Sequence, residues 1–131
     1  MEYEIVNSLP SVFLKGRSIK KAVGLDEAAI PSHSMSFGRT LFSRRSGIMD
    51  PHCHAEEIIY VLNASQGIVR FGPTEACSGG TVRLQPDMIL HFAAGEWHVF
   101  ETLDPEGYSD VLFFYAQTDH LRPENDGTGA R

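Results

Sequence analysis

The sequence predicts an all-β fold, a sandwich or barrel of short strands, on three observations. Short apolar and β-branched runs recur along most of the chain. Gly, Pro, Asp, Asn and Ser separate them at a regular spacing, as in sandwiches and barrels. Only one stretch, "GLDEAAI" (Gly24 to Ile30), reads as a short helix, with Asp26 placed to cap it and Pro31 to stop it. The chain has 131 residues, 42% hydrophobic and 21% charged. That is one globular domain, 1–131, able to bury a core without disulfide staples.

Taken in order, the expected strands are "SVFL", "SFGRTLFSR", "EEIIYVL", "GIVRFG", "TVRL", "MILHFA", "HVFETL" and "DVLFFYAQ". The turns between them include "SGIMDP", "NASQG", "GPTEACSGG", "QPD", "AAGE" and "DPEGYS". Residues 1–35 form an N-terminal arm, and the polar, Gly-rich segment 120–131 reads as a loose tail. The formal net charge of -6 and the lack of any basic run argue against nucleic acid and anionic membrane as partners. The longest apolar runs fall far short of the roughly 20 residues a membrane helix needs. No secretory leader pattern opens the sequence, and two cysteines, Cys53 and Cys77, are expected as reduced thiols. The expected compartment is the cytoplasm.

The chemistry concentrates in "GIMDPHCHAEEIIYVL" (Gly47 to Leu62). Alternate side chains of a strand share a face, so His52 and His54 point the same way and Cys53 points the other. Two imidazoles and a nearby carboxylate make a mixed nitrogen and oxygen site. Such a site suits iron, manganese, zinc, nickel or copper rather than calcium or magnesium. Strict alternation puts Glu56 on the histidine face, whereas a bulge would bring Glu57 there instead. A second stretch, "DMILHFAAGEWHVFET", opens a strand with His98 after a Gly-containing turn.

Together these stretches resemble the two motifs of the cupin family, small jelly-roll β-barrels. Residues 47–64 resemble the first motif, with Gly47 as its opening glycine, His52 and His54 as its histidine pair and Glu57 as its glutamate. Residues 87–102 resemble the second, with Gly95 and His98 at the turn glycine and last histidine. The resemblance implies one divalent transition metal per chain, iron or manganese favoured, held by His52, His54, Glu57 and His98. The sequence departs from the family pattern in several places. The gaps Gly47 to His52 and His54 to Glu57 are each one residue short. Ala64 stands at the closing glycine, with Gly67 just after it. Asp87, Ala93 and Thr102 replace a glycine, a proline and an asparagine.

The resemblance further implies a metal-dependent enzyme acting on a small oxygen-rich molecule that chelates the ion. Dioxygenase-type oxidoreductase is favoured over isomerase, lyase or cyclase. A non-catalytic binding or sensor module is the competing class. His91 is expected on the sheet face away from the metal, and His33 and His120 at the surface. Cys53 is expected as a buried filler. Trp97, Phe100, Phe113 and Tyr115 are expected in the core, some of them at the barrel mouth. An inward member of Arg39, Arg44 and Arg70 would indicate an anionic substrate, although a solvated face is expected for each. A homodimer is expected, with the arm covering an open strand edge or pairing with a neighbour.

Overall fold

A computed structural model describes residues 1–116; the expected tail and His120 lie outside the described residues. Among the described residues ten strands run in chain order: β1 (Val12–Leu14), β2 (Arg17–Gly24), β3 (Ile30–Pro31), β4 (Met35–Ser43), β5 (Glu57–Ser65), β6 (Gly67–Gly72), β7 (Gly80–Arg83), β8 (Ile89–Phe92), β9 (Trp97–Thr102) and β10 (Tyr108–Ala116). The larger sheet has the order β1-β2-β4-β10-β5-β8, with β3 beside β2. The smaller has the order β7-β6-β9. All pairings except β2 with β3 are antiparallel. The two sheets face each other as a cupin-type jelly roll.

Each expected strand forms, with ends shifted by at most three residues. The alternation that predicted them is the alternation of burial. In β10, Ser109, Val111, Phe113 and Tyr115 turn inward, while Asp110, Leu112 and Phe114 turn outward. Val61, Val69, Val99 and Val111 are fully buried between the sheets. Phe42 of β4 stacks on Phe100 of β9, with centroids 4.0 Å apart, and so ties the large sheet to the small one.

Two expectations fail. "GLDEAAI" is not a helix. Bends at Leu25 to Glu27 lead into β3, and Glu27 takes a left-handed φ of 59°. A segment this short cannot offset the cost of helix nucleation without a packed face. Among the described residues, the helical elements that do form are 3-10 turns at Val6–Ser8 and Arg44–Ser46. The second miss is β2, where no strand was expected. Its inward face holds Arg17, Ile19, Lys21 and Val23, so two cations interrupt the apolar alternation by which a strand is read. The N-terminal arm packs on its own chain. β1 pairs with β2, and the Lys20 ammonium donates to the Leu9 carbonyl.

Where the sequence departs from the family pattern, local geometry compensates. Asp87 takes the left-handed φ of 72° that its position demands. Gly67, not residue 64, meets the close approach: a Cβ there would strike the Ser109 side chain.

Candidate metal centre

His52 lies just outside β5, in an irregular segment that runs against the start of β9. The backbones of His52 and His98 exchange two hydrogen bonds, of 3.1 and 2.9 Å. That reciprocal pair sets the two imidazoles side by side, with ring centroids 4.6 Å apart. The turn before β9 is closed by the Gly95 amide, which donates to the His54 carbonyl at 2.9 Å. Gly95 holds a φ of 77°, a conformation that favours glycine. The same hydrogen bond fixes the third histidine. Ligand atoms of His52, His54 and His98 all lie within 4.8 Å of one another, so the three could hold a metal ion.

Each imidazole is oriented by a backbone carbonyl. Nδ1 of His98 lies 2.9 Å from the Glu96 oxygen, Nδ1 of His54 lies 3.1 Å from that of Ala55, and Nδ1 of His52 lies 3.4 Å from that of Asp50. A carbonyl only accepts, so Nδ1 carries the proton and Nε2 keeps its lone pair. Phe92 stacks on His98 at 4.0 Å and Tyr115 lies 4.9 Å from His54, which fixes the ring planes. Burial, then the neighbouring His98 and His54, then Arg17 hold the His52 imidazole well below its ordinary pKa. Its neutral form, the one that binds metals, is therefore favoured.

The two adjacent glutamates part company. Glu57 is the first residue of β5 and shares the inner face with Ile59 and Val61. Its Oε1 sits 3.4 Å from Nε2 of both His54 and His98. Glu56 points outward and bonds to His91 on the opposite face of the sheet. Glu57 Oε1 and His98 Nε2 are buried with no hydrogen-bond partner. Buried polar atoms are nearly always satisfied, so a converging unsatisfied pair fits a bound ion in type and position.

These donors open onto a cavity of about 210 Å³. Its walls are mainly apolar and aromatic, with Ile19, Phe42, Ile59, Phe100, Phe113 and Tyr115 prominent, and the buried hydroxyl residues Ser36 and Thr40 join them. Lys21 and Glu27, 3.8 Å apart, also line it. Trp97 packs at the edge of the core instead. None of the three arginines considered from the sequence lines this cavity. Arg39 pairs with Asp110 at 2.9 and 2.7 Å, Arg70 pairs with Glu101 at 2.8 and 2.9 Å, and Arg44 donates to the Thr102 carbonyl at 2.8 Å. The arginine that does line it is Arg17. Sequence reasoning missed it together with its strand. Cys53 and Cys77 are buried and form no disulfide.

No protein-family model and no curated protein matches the chain. Solved structures do. The polyketide cyclase RemF from Streptomyces resistomycificus is similar at a TM-score of 0.68 and 22% identity, covering 90% of this chain and 80% of that one. Ectoine synthase from P. lautus is similar at 0.65 and 13%, covering 98% and 87%. The Cnp3 cupin domain of Schizosaccharomyces pombe is similar at 0.58 and 14%, covering 94% and 78%. At these identities the likeness is one of fold, and the fold is that of the cupins. No helix among the described residues is long and apolar enough to cross a membrane.

Proposed function

We propose that this protein is a metal-dependent cupin enzyme. His52, His54, Glu57 and His98 would hold one divalent transition metal, and the cavity would take a small oxygen-bearing molecule with a largely apolar, flat body. The observation that carries this reading is the pair of buried, unpartnered donor atoms, Glu57 Oε1 and His98 Nε2, facing two further imidazoles on the wall of an apolar cavity.

A divalent ion at such a site supplies Lewis acidity, and a redox-active one adds electron transfer. The chain's own contribution is positional. Phe100, Phe113 and Tyr115 offer faces to a flat substrate and exclude water from the donors. The Ser36 and Thr40 side chains, buried in the β4 wall, can orient substrate oxygens. The reaction favoured is a non-redox one of the cyclase or lyase type, in keeping with the similarity to a protein described as a polyketide cyclase. Dioxygenase chemistry is the second reading, because a mixed histidine and carboxylate donor set also suits iron.

The test is elemental analysis of tag-free protein beside a His54→Ala, His98→Ala double variant. Near-stoichiometric metal in the first and none in the second is expected. Absence of metal from both, even after reconstitution, would leave only a binding module. Oxygen uptake with phenolic and diketone compounds then separates the two reaction classes.

The homodimer belongs to the same proposal. The outer face of the large sheet presents Phe114 and Ile58, 40% and 44% exposed, side by side, with Ile89 at its edge. Charged groups on that face are already matched within the chain, Arg39 with Asp110 and His91 with Glu56. A second copy could cover the face without stranding a charge.

A further inference from the structure

One short loop stands at the opening of the metal cavity. Strand β2 ends at Gly24, and the chain returns at Ile30 to pair in parallel with the strand it has just left, Val23 opposite Ile30 and Gly24 opposite Pro31. Two backbone hydrogen bonds pin the base of the loop. The Ala29 amide donates to the Lys21 carbonyl at 3.1 Å, and the Ser32 amide donates to that of Gly24 at 2.9 Å. Between these pins Leu25, Asp26, Glu27 and Ala28 all line the cavity, and Asp26 and Glu27 are also exposed. A residue that lines a cavity and meets solvent stands at its mouth. Register sets this mouth level with the metal donors. Val23 pairs with Phe37, next to Ser36; Ser36 pairs with Tyr115, and Tyr115 pairs with Glu57. A single row of the large sheet thus runs from the loop to the donor carboxylate.

The loop is tied to the cavity wall by a side chain of that wall. Lys21 lines the cavity from β2, with its side chain 21% exposed, and its ammonium lies 3.8 Å from the carboxylate of Glu27, which is 70% exposed. A bulge between Lys21 and Val23 bends β2 at this point. Glu27 takes a left-handed φ of 59°, uncommon for a residue with a long side chain. Such backbone persists where its surroundings hold it, and it gathers at clamps and switches. An ion pair with one partner this exposed is weak and is screened by salt. That strength fits a fastener that opens each time a ligand enters. The pairs Arg39 with Asp110 and Arg70 with Glu101, each joined by two hydrogen bonds, brace strands instead.

We propose that residues 25–28 are a lid on the metal cavity and that Lys21 with Glu27 is its latch. Closed, the lid shields the Nε2 atoms of the histidine cluster from solvent. Released, it swings on its pinned base and admits the ligand. Lys21 and Glu27 are positioning residues here and take no part in bond making. The inference rests on the enzyme reading only for what the lid encloses.

The test is labelling of metal-free protein by diethyl pyrocarbonate, a small neutral reagent that attacks unprotonated imidazole nitrogen, read residue by residue by peptide mass spectrometry. Wild type, Glu27→Gln, Lys21→Met and the double variant are compared by initial rate. His52, His54 and His98 report the cavity, and the exposed His33 and His91 are internal references. Each single variant is expected to label the cluster about two- to fivefold faster, the range of a weak ion pair, with His33 and His91 unchanged. The double variant should be no faster than the single ones, because all three break one contact. Salt at about 1 M should raise the wild-type rate and leave the variants unmoved. If Lys21→Met does not fold, Glu27→Gln at the surface and the salt dependence still decide. Cluster rates that stay at the wild-type level in the folded variants overturn the lid. So do rates that rise equally at His33 and His91, since they report a loosened barrel. Manganese is expected to protect the cluster in wild type. Manganese that gives no protection, with labelling still governed by the latch, would instead sink the enzyme reading and leave the lid standing.

Discussion

Glu57→Gln should stabilise the metal-free protein and remove most of the stabilisation that metal supplies. In the metal-free chain, Glu57 Oε1 is buried, 3.4 Å from two Nε2 atoms, and has no donor. The Nδ1 atoms of His54 and His98 face backbone carbonyls, so their Nε2 lone pairs offer this oxygen no donor. Glutamine keeps the shape, removes the charge and brings N–H donors that can reach those lone pairs. Relief of a buried, unsatisfied group is worth about 1–3 kcal/mol, and the His98 nitrogen benefits as well. For a chain of this size that raises the metal-free Tm by about 3–10 °C. With metal that gain is offset. A ligand at a hundred times its Kd stabilises by about 2.7 kcal/mol. If loss of the charged donor weakens binding about a hundredfold, the same concentration gives only about 0.4 kcal/mol. The assay is thermal denaturation of chelator-stripped protein with and without added manganese or zinc. A variant that melts lower than wild type when stripped, yet keeps the full metal-induced shift, would refute the reasoning. Glu57 would then be a structural acid that bonds the histidines.

Three further outcomes follow from other parts of the molecule. His52 has a folded pKa pushed below its ordinary 6.5, so the unfolded chain binds more protons just below that pH. The stability it contributes is therefore present above about 6.5 and lost as pH falls through the folded value; denaturant melts of metal-free protein across this range should show the loss, and His52→Gln should flatten it. Cys53 and Cys77 are 0% and 2% exposed, and burial pushes the Cys77 thiol up, so a thiol reagent should label neither in folded protein and both after denaturation; rapid labelling of the native state would contradict the packing. Phe114→Glu places a charge at the centre of the outer apolar face and should convert a dimer to monomer by light scattering without lowering metal content; an unchanged mass would remove that face as the dimer surface.

The sequence made most strands legible because their two faces differ. In β10 and β5 apolar inward residues alternate with mixed outward ones, and the period of two is plain. β2 was illegible because it lines the cavity with polar side chains, and Arg17 and Lys21 erase the pattern that would announce a strand. The helix expected at Gly24 to Ile30 fails for a different reason. Local signals at Asp26 and Pro31 were real, but seven residues with no packed stripe cannot hold a helix against a bend and a short parallel bridge to β2. Likewise, Arg39 and Arg70 could not be told from inward arginines until the register brought Asp110 and Glu101 diagonally across from them.

The short gap between His54 and Glu57 shows how a motif can lose a residue and keep its geometry. Continuous alternation from His52 would carry Glu56 to the inner face and Glu57 to the outer. Residues 53–56 do not continue a strand, however. The chain bends at Ala55, where the His54 carbonyl is taken by the Gly95 amide and the Ala55 carbonyl faces the His54 ring. Ladder pairing starts afresh at Glu57, which stands opposite Phe92 on one side and Tyr115 on the other. Parity is therefore counted from Glu57, and Ile59 and Val61 follow it into the core. The bend thus does the work of a bulge, and it depends on the same Gly95 turn that delivers His98. The four side chains are in this sense one folding unit. An Ala at Gly95 would strain a φ of 77°, loosen the hold on His54 and disturb the place where parity resets.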